Sequence, residues 1–193
     1  PKSLKFNHIY DHVKPVRQRW FGCACCPPNI ARLLTSLGHY IYTPREEALY
    51  INLYVGNQVE IPVGEKTLRL RISGDYPWRE QVKIVIESPS TVNHTLALRL
   101  PDWCEGPHIT LNGAPVTQDI RQGYLHIHHL WQEGDTLMLT LPMPVRRVYG
   151  NPLVRHQAGQ VALQRGPLVY CLEQADNGEA LHNLLLPRDA RFT

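Results

Sequence analysis

No window of the sequence approaches the roughly 18 to 20 consecutive apolar residues that a membrane helix requires. The opening PKSLKFNHIYDH also lacks the apolar core of a secretion signal. A soluble chain is expected. Charge of one sign is equally scarce: 20 Lys and Arg stand against 17 Asp and Glu, a formal net charge of +3, too small an imbalance to call for nucleic acid. Stretches free of both Pro and Gly are short, because 16 of the 193 residues are proline where ordinary chains carry about 5%. A mainly helical chain is thereby excluded. The length suffices for one large or two small domains. The chain starts at Pro1 without a Met and reaches Arg191-Phe192-Thr193 without a capped helix or a polar tail, so it reads as an internal piece of a larger protein.

The five cysteines are unevenly spread. Cys23, Cys25 and Cys26 lie within four positions, whereas Cys104 and Cys171 stand alone. Adjacent cysteines rarely bond to each other because the ring strains the peptide between them, so an extracellular disulfide framework is disfavoured. A reduced, cytoplasmic setting is expected, with the cluster binding metal or doing thiol chemistry.

Residues 1–22 show no clean periodicity and read as an irregular approach. The next segment places Ile30, Leu33, Leu34, Leu37 and Ile41 at the i, i+3, i+4, i+7 spacing of a helix with one apolar face. Pro27 and Pro28 suit its first turn, where a missing N–H has no partner to lose, and Gly38 reads as its stop.

After Thr43 the pattern changes to short runs: 48–55, 58–62, 66–73, 81–87, 94–100, 108–111, 124–128, 136–141, 145–149 and 160–172. In Leu68-Arg69-Leu70-Arg71-Ile72 and Val82-Lys83-Ile84-Val85-Ile86 apolar residues occupy every second position, which buries one face of a sheet. Leu68, Leu70, Ile72, Ile84 and Ile86 are therefore expected inward, and Arg69, Arg71 and Lys83 outward. Asn112-Gly113 is a tight hairpin signal, and Gly74-Asp75-Tyr76-Pro77, Glu133-Gly134-Asp135 and Arg165-Gly166-Pro167 are further breaks. The fold class is mainly β, with antiparallel β-sandwich structure. A boundary is expected between Leu141 and Asn151, where two prolines accompany a change of pattern.

Chemistry concentrates in Trp20-Phe21-Gly22-Cys23-Ala24-Cys25-Cys26-Pro27-Pro28-Asn29. Sulfur is a nucleophile or metal ligand as thiolate, and the unpaired backbone N–H groups at a helix start favour negative charge. Cys25 and Cys26 occupy that position. Zinc takes Cys, His or carboxylate ligands in tetrahedral sets, and the spacing here lacks the usual second Cys/His pair. The alternative is that the three cysteines are small buried hydrophobes.

The runs WFGCACCPPNIARLLTSLGHYIYT, ALYINLYVGNQVEI, YPW, LALRLPDWC, NG, GYLHI, WQEGDTLMLTLPMPVRRVYGNP and VALQRGPLVYCLE occur in this order. Together they resemble the C-terminal part of the bacterial beta-L-arabinofuranosidases of glycoside hydrolase family 127, the family once called domain of unknown function 1680. The resemblance spans residues 17–190, and its most specific element is the cysteine run. It implies a catalytic (α/α)6 barrel whose last helix is residues 27–40, followed by β-sandwich domains. The expected division is 1–43 for the end of the barrel with the cysteine segment, 44–146 for a β-sandwich, and 147–193 for an incomplete second one.

By resemblance the enzyme is a retaining exo-glycosidase that releases L-arabinofuranose from β-linked arabinooligosaccharides. Cys25 matches the zinc-bound nucleophile and Cys26 a zinc ligand, so the metal residues are Cys25 and Cys26. The remaining ligands, a glutamate and a cysteine, and the glutamate acid/base match positions upstream of this sequence. Cys23 matches a position without a ligand role. The fragment alone is expected to be inactive and, with two firm ligands, to bind zinc weakly. The competing reading is a non-catalytic carbohydrate-binding or interdomain sandwich module. Thiol-redox or zinc-storage chemistry fits less well, because the CxxC spacing of a thioredoxin-like site is missing. An arabinose-containing oligosaccharide is the expected partner, with neither nucleic acid nor membrane. The apolar helix stripe, stripped of its barrel neighbours, leaves the fragment to pair with a second copy as a homodimer or to aggregate.

Other residues admit two readings. His126 and His128 share a strand face as either a metal pair or solvated side chains, and no carboxylate or cysteine lies nearby in sequence. Trp20 and Phe21 suit either sugar stacking or core packing. Trp78, Trp103 and Trp131 fall at strand ends and read as packing between sheets. Cys104 and Cys171 read as buried hydrophobes.

Overall fold

The computed structural model describes residues 25–117, 119–178 and 180–192. The chain divides into two compact units, one ending at His39 and the other beginning at Tyr40. In the first, helix α1 spans Cys26–Ser36 with Pro27 and Pro28 in its opening turn. The expected stop at Gly38 is corrected: α1 ends at Ser36, and a second short helix, α2, starts at Gly38 and runs to Ile41. In the last turn of α1, Thr35 Oγ1 donates to the carbonyls of Ala31 and Arg32, and Ser36 Oγ to those of Arg32 and Leu33, back-bonding that weakens a helix end. The next amide, that of Leu37, donates to the Leu34 carbonyl, a tightened i→i−3 turn that closes the α-helix.

The second unit is built of strands. In chain order they are β1 (Tyr42–Pro44), β2 (Ala48–Ile51), β3 (Asn57–Val63), β4 (Lys66–Ser73), β5 (Gln81–Ile86), β6 (Val92–Arg99) and β7 (His108–Leu111). There follow β8 (Ala114–Pro115), β9 (Asp119–Arg121), β10 (Tyr124–Trp131), β11 (Thr136–Thr140), β12 (Val145–Tyr149), β13 (Val161–Arg165) and β14 (Leu168–Tyr170). One sheet has the order β1-β2-β6-β10-β9, a second β3-β4-β5-β11-β7-β8, and a third β12-β13-β14. Helix α3 (Gln174–Asn177) is a single turn. No helix among the described residues is long and apolar enough to cross a membrane.

The first two sheets form the sandwich. Leu49, Ile51, Leu96, Leu98 and Leu125 on one, and Leu68, Leu70, Ile84, Ile86, Leu137 and Leu139 on the other, are all at most 1% exposed. Each such side chain contributes roughly 1.5–3 kcal/mol by leaving water. The alternation read from sequence holds: Ile72 is also buried, while Arg71 and Lys83 are exposed and Arg69 is half-exposed. Asn112 and Gly113 both have positive φ, 52° and 84°, and join β7 to β8 with Leu111 opposite Ala114. This is the backbone a two-residue hairpin demands.

Pairing is antiparallel except at one place. β2 runs parallel to β6, with Leu49 beside Leu96 and Ile51 beside Leu98. The run 160–172 resolves into β13 and β14, joined at Gly166. Gly166 has φ +56°, and a Cβ there would lie 2.7 Å from Met143 Sδ, so the turn needs glycine both for its conformation and for the close approach. Near this turn, Arg165 Nη1 donates to the Trp78 carbonyl at 3.1 Å and Glu80 Oε1 accepts from the Met143 amide at 2.9 Å. These bonds join the third sheet to the loop ahead of β5.

Two expectations about single residues are corrected. Trp78 does not pack between sheets; it is 70% exposed, because it belongs to the turn that closes on Asp75, whose carbonyl accepts the Trp78 amide at 2.7 Å. Cys171 is exposed rather than buried: it follows the end of β14, in a sheet whose strands contain no fully buried residue. Trp131, by contrast, is wholly buried, and its indole N–H donates to the His94 carbonyl at 2.9 Å. Trp103 and Cys104 are half-buried.

Candidate functional site

Cys25 is the N-cap of α1 and Cys26 its first residue. Pro27 and Pro28 follow at once, so two of the free N–H groups that normally open a helix are missing. Cys25 takes helical φ and ψ, −72° and −35°, and no side chain caps the helix. Its backbone is held instead from one turn on, where Asn29 Nδ2 donates to the Cys25 carbonyl at 2.9 Å and Arg32 donates to Asn29 Oδ1.

Both thiols are exposed and their sulfurs lie 3.8 Å apart. Zinc–thiolate bonds of about 2.3 Å at a tetrahedral angle put two sulfurs about 3.8 Å apart. Cys25 and Cys26 therefore fit two corners of one tetrahedral zinc. A closed site needs further donors, and among the described residues no group of three or more His, Cys, Asp or Glu side chains converges. Cys23, Trp20 and Phe21 lie outside the described residues.

The second cluster foreseen in the sequence is on the sandwich. His126 and His128 do share a face of β10, and the fold brings carboxylates to them from other strands and loops. Asp119 lies opposite His126 in the β9–β10 register, and Glu47 lines the same hollow. The available signal was Gln122-Gly123 read as a two-residue hairpin, which folds Asp119 back beside His126. The Arg121 guanidinium donates to Asp119 through Nε and Nη2, at 2.9 and 2.6 Å, and holds that carboxyl below its usual range.

Comparison with known proteins agrees with this architecture. Residues 48–143 match the family model described as beta-L-arabinofuranosidase, GH127 middle domain, and residues 145–193 match the glycoside hydrolase family 127 C-terminal domain. A non-reducing end beta-L-arabinofuranosidase of Bifidobacterium longum subsp. longum is 39% identical, over 93% of this chain and 28% of that protein. The crystal structure of a GH127 beta-L-arabinofuranosidase from Geobacillus stearothermophilus T6 is 49% identical and superposes with a TM-score of 0.86, covering 96% of this chain and 29% of that one. A further solved GH127 beta-arabinofuranosidase is 34% identical with a TM-score of 0.76, over 83% of this chain and 28% of its own. The chain thus spans less than a third of the relatives it matches. With two family models over most of its length and the same fold at 49% identity, it belongs to glycoside hydrolase family 127, whose middle and C-terminal domains it carries.

Proposed function

We propose that this chain is part of a retaining exo-acting beta-L-arabinofuranosidase in which Cys25 is the nucleophile and Cys26 a metal ligand beside it. The observation that carries the reading is the 3.8 Å separation of the two sulfurs, which suits a shared tetrahedral zinc. Zinc, when bound, would keep sulfur anionic at neutral pH and moderate its hold on the sugar. The Cys25 sulfur would attack the anomeric carbon as the bond to the leaving oxygen breaks, and water would then displace the sulfur, so that two inversions retain configuration. Protonation of the leaving oxygen and activation of the water fall to a carboxyl group, as in other retaining glycosidases. That group and the remaining metal ligands belong to positions outside this sequence, and α1 would be the last helix of the barrel that holds them. Asn29 and Arg32 fix the Cys25 backbone. Cys25, Cys26, Cys104 and Cys171 are all free thiols, which suits a reduced, cytoplasmic setting. Exposed Ile30, Leu33 and Leu34 on α1 suit either barrel helices or a second copy of the chain.

The test is Cys25→Ser in the enzyme that contains this chain, with Cys26→Ser beside it. Cys25→Ser is expected to lower turnover of an aryl β-L-arabinofuranoside by roughly 10⁴-fold or more with an unchanged circular dichroism spectrum. Cys26→Ser is expected to lower the zinc content of the purified protein, measured by atomic absorption. Near-normal turnover in the first variant sinks the nucleophile assignment; full zinc occupancy in the second sinks the ligand assignment.

A further inference from the structure

The outer face of the five-stranded sheet is hollow. Across it run two rows in register: Tyr50, Ala97, His126 and Asp119, then Ala48, Thr95 and His128. Ala48, at the end of the second row, carries only a methyl group, and it lines an opening shared with Glu47, Tyr50, Thr95 and His128. The result is a cavity of about 460 Å³, within the range of small-molecule sites.

Its wall is ordered in advance. The Tyr50 ring stands at right angles to Tyr124 and to His126, with centroids 5.1 and 5.7 Å away. His128 Nδ1 is bonded to Thr95 Oγ1 at 3.1 Å, and Arg121 and Asp119 form a two-bond fork. Gln122 supplies an independent sign. It lines the cavity at φ +50°, in a two-residue turn where Asn or Gly is the favoured occupant. A long amide side chain kept at a position that disfavours it points to use of that amide.

We propose that this hollow binds a neutral oligosaccharide. The Arg121 fork is already spent on Asp119, and Glu47 adds a negative charge, so phosphate or carboxylate finds no open cation. No set of three metal-type ligands converges there among the described residues, and the wall mixes polar groups with the Tyr50 ring and Ala48, which suits the hydroxyls and C–H faces of a sugar better than a wholly apolar guest. What remains are donors and acceptors side by side: the unused guanidinium N–H groups, the Gln122 amide, the Tyr50 hydroxyl and the two carboxylates. Sugar hydroxyls, each donor and acceptor at once, match such a wall. The site would hold a chain near the enzyme without taking part in its cleavage, and it does not depend on the role assigned to Cys25.

The experiment is a titration followed by ¹H–¹⁵N NMR, on the 193-residue chain in a Cys25→Ser background so that no ligand is consumed. The probes are a β-linked L-arabinofuranose disaccharide and, separately, inorganic phosphate. Saturable shifts centred on Tyr50, Gln122 and His126 are expected with the sugar and not with phosphate. Gln122→Asn, which suits the turn better while shortening the amide, is expected to weaken binding at least tenfold, as is Tyr50→Ala. Three results overturn the proposal: no saturable sugar binding, binding unaffected by both substitutions, or tighter binding of phosphate than of sugar. Turnover retained by Cys25→Ser in the full enzyme would refute the nucleophile assignment alone.

Discussion

Asn112 and Asp135 tie the β7–β8 hairpin to the turn that carries the chain from the five-stranded to the six-stranded sheet: Asn112 Nδ2 donates to Asp135 Oδ1 at 2.8 Å. Each also caps a neighbouring amide. Asn112 Oδ1 accepts from the Thr136 amide and Asp135 Oδ2 from that of Gln132, both at 2.9 Å, and His129 Nε2 stands 3.5 Å from the same carboxylate. Asparagine at 112 thus does more than tolerate a positive φ.

Asp135 is 8% exposed, so removing it leaves the partly buried Asn112 Nδ2 and Gln132 amide without this acceptor. Asp135→Ala is expected to lower unfolding free energy by roughly 2–3 kcal/mol. Asn112→Gly, which keeps the turn backbone and loses only the amide bonds, should fall by about 1–2 kcal/mol. Urea denaturation of the two single variants and the double variant checks this. Strictly additive losses would show that the two residues are not coupled.

His94 predicts a pH dependence. Burial in the sandwich, with His128 nearby, holds its imidazole below the ordinary value of 6.5, only partly opposed by Glu47. The unfolded chain therefore takes up this proton at a higher pH than the folded one. The folded state is unpenalised above pH 6.5 and loses stability as pH falls from 6.5 toward the lower folded value. Urea midpoints of the wild type and His94→Gln, measured from pH 7.5 to 5, are expected to converge or cross as the pH drops. A constant gap between them would exclude His94 as the source.

Arg147 anchors the final residues to the third sheet. Its Nη2 donates to the carbonyls of Pro187 at 3.1 Å and Ala190 at 2.7 Å, and the guanidinium lies 4.8 Å from the centre of the Phe192 ring. Arg147→Ala is expected to raise amide exchange across residues 187–192 at least tenfold while leaving β4 and β5 protected. Arg147→Lys should give most of the same increase, since a point charge cannot serve two carbonyls and a ring with one planar fork. Unchanged exchange in the alanine variant would show that other contacts hold the segment.

The strand segments and their buried faces were legible because their signal is local. Alternation in β4 and β5 assigns each side chain to a face whichever strand lies alongside, and Asn112-Gly113 or Arg165-Gly166-Pro167 mark reversals through backbone conformations few residues accept. The closeness of Cys25 and Cys26 is local for the same reason: neighbours in sequence, their sulfurs lie 3.8 Å apart.

Partnership between distant segments was decided only in three dimensions. Leu49 and Ile51 would suit a parallel or an antiparallel neighbour equally well, and the choice of β6 in parallel rests on how two faces fill a common core. Asp119 meets His126 through strand pairing, and Glu47 joins them around a hollow that Ala48 also lines. Trp78, Cys171 and Gly38 depart from what residue type implies because exposure and helix ends depend on surroundings. A turn kept Trp78 out of the core, a sheet without a buried centre left Cys171 in water, and a tightened turn at Leu37 ended α1 before the glycine. Composition and periodicity select the elements, because steric and hydrophobic preferences act along the chain. The sites form where burial and hydrogen bonding join elements far apart in sequence, and no local pattern encodes that.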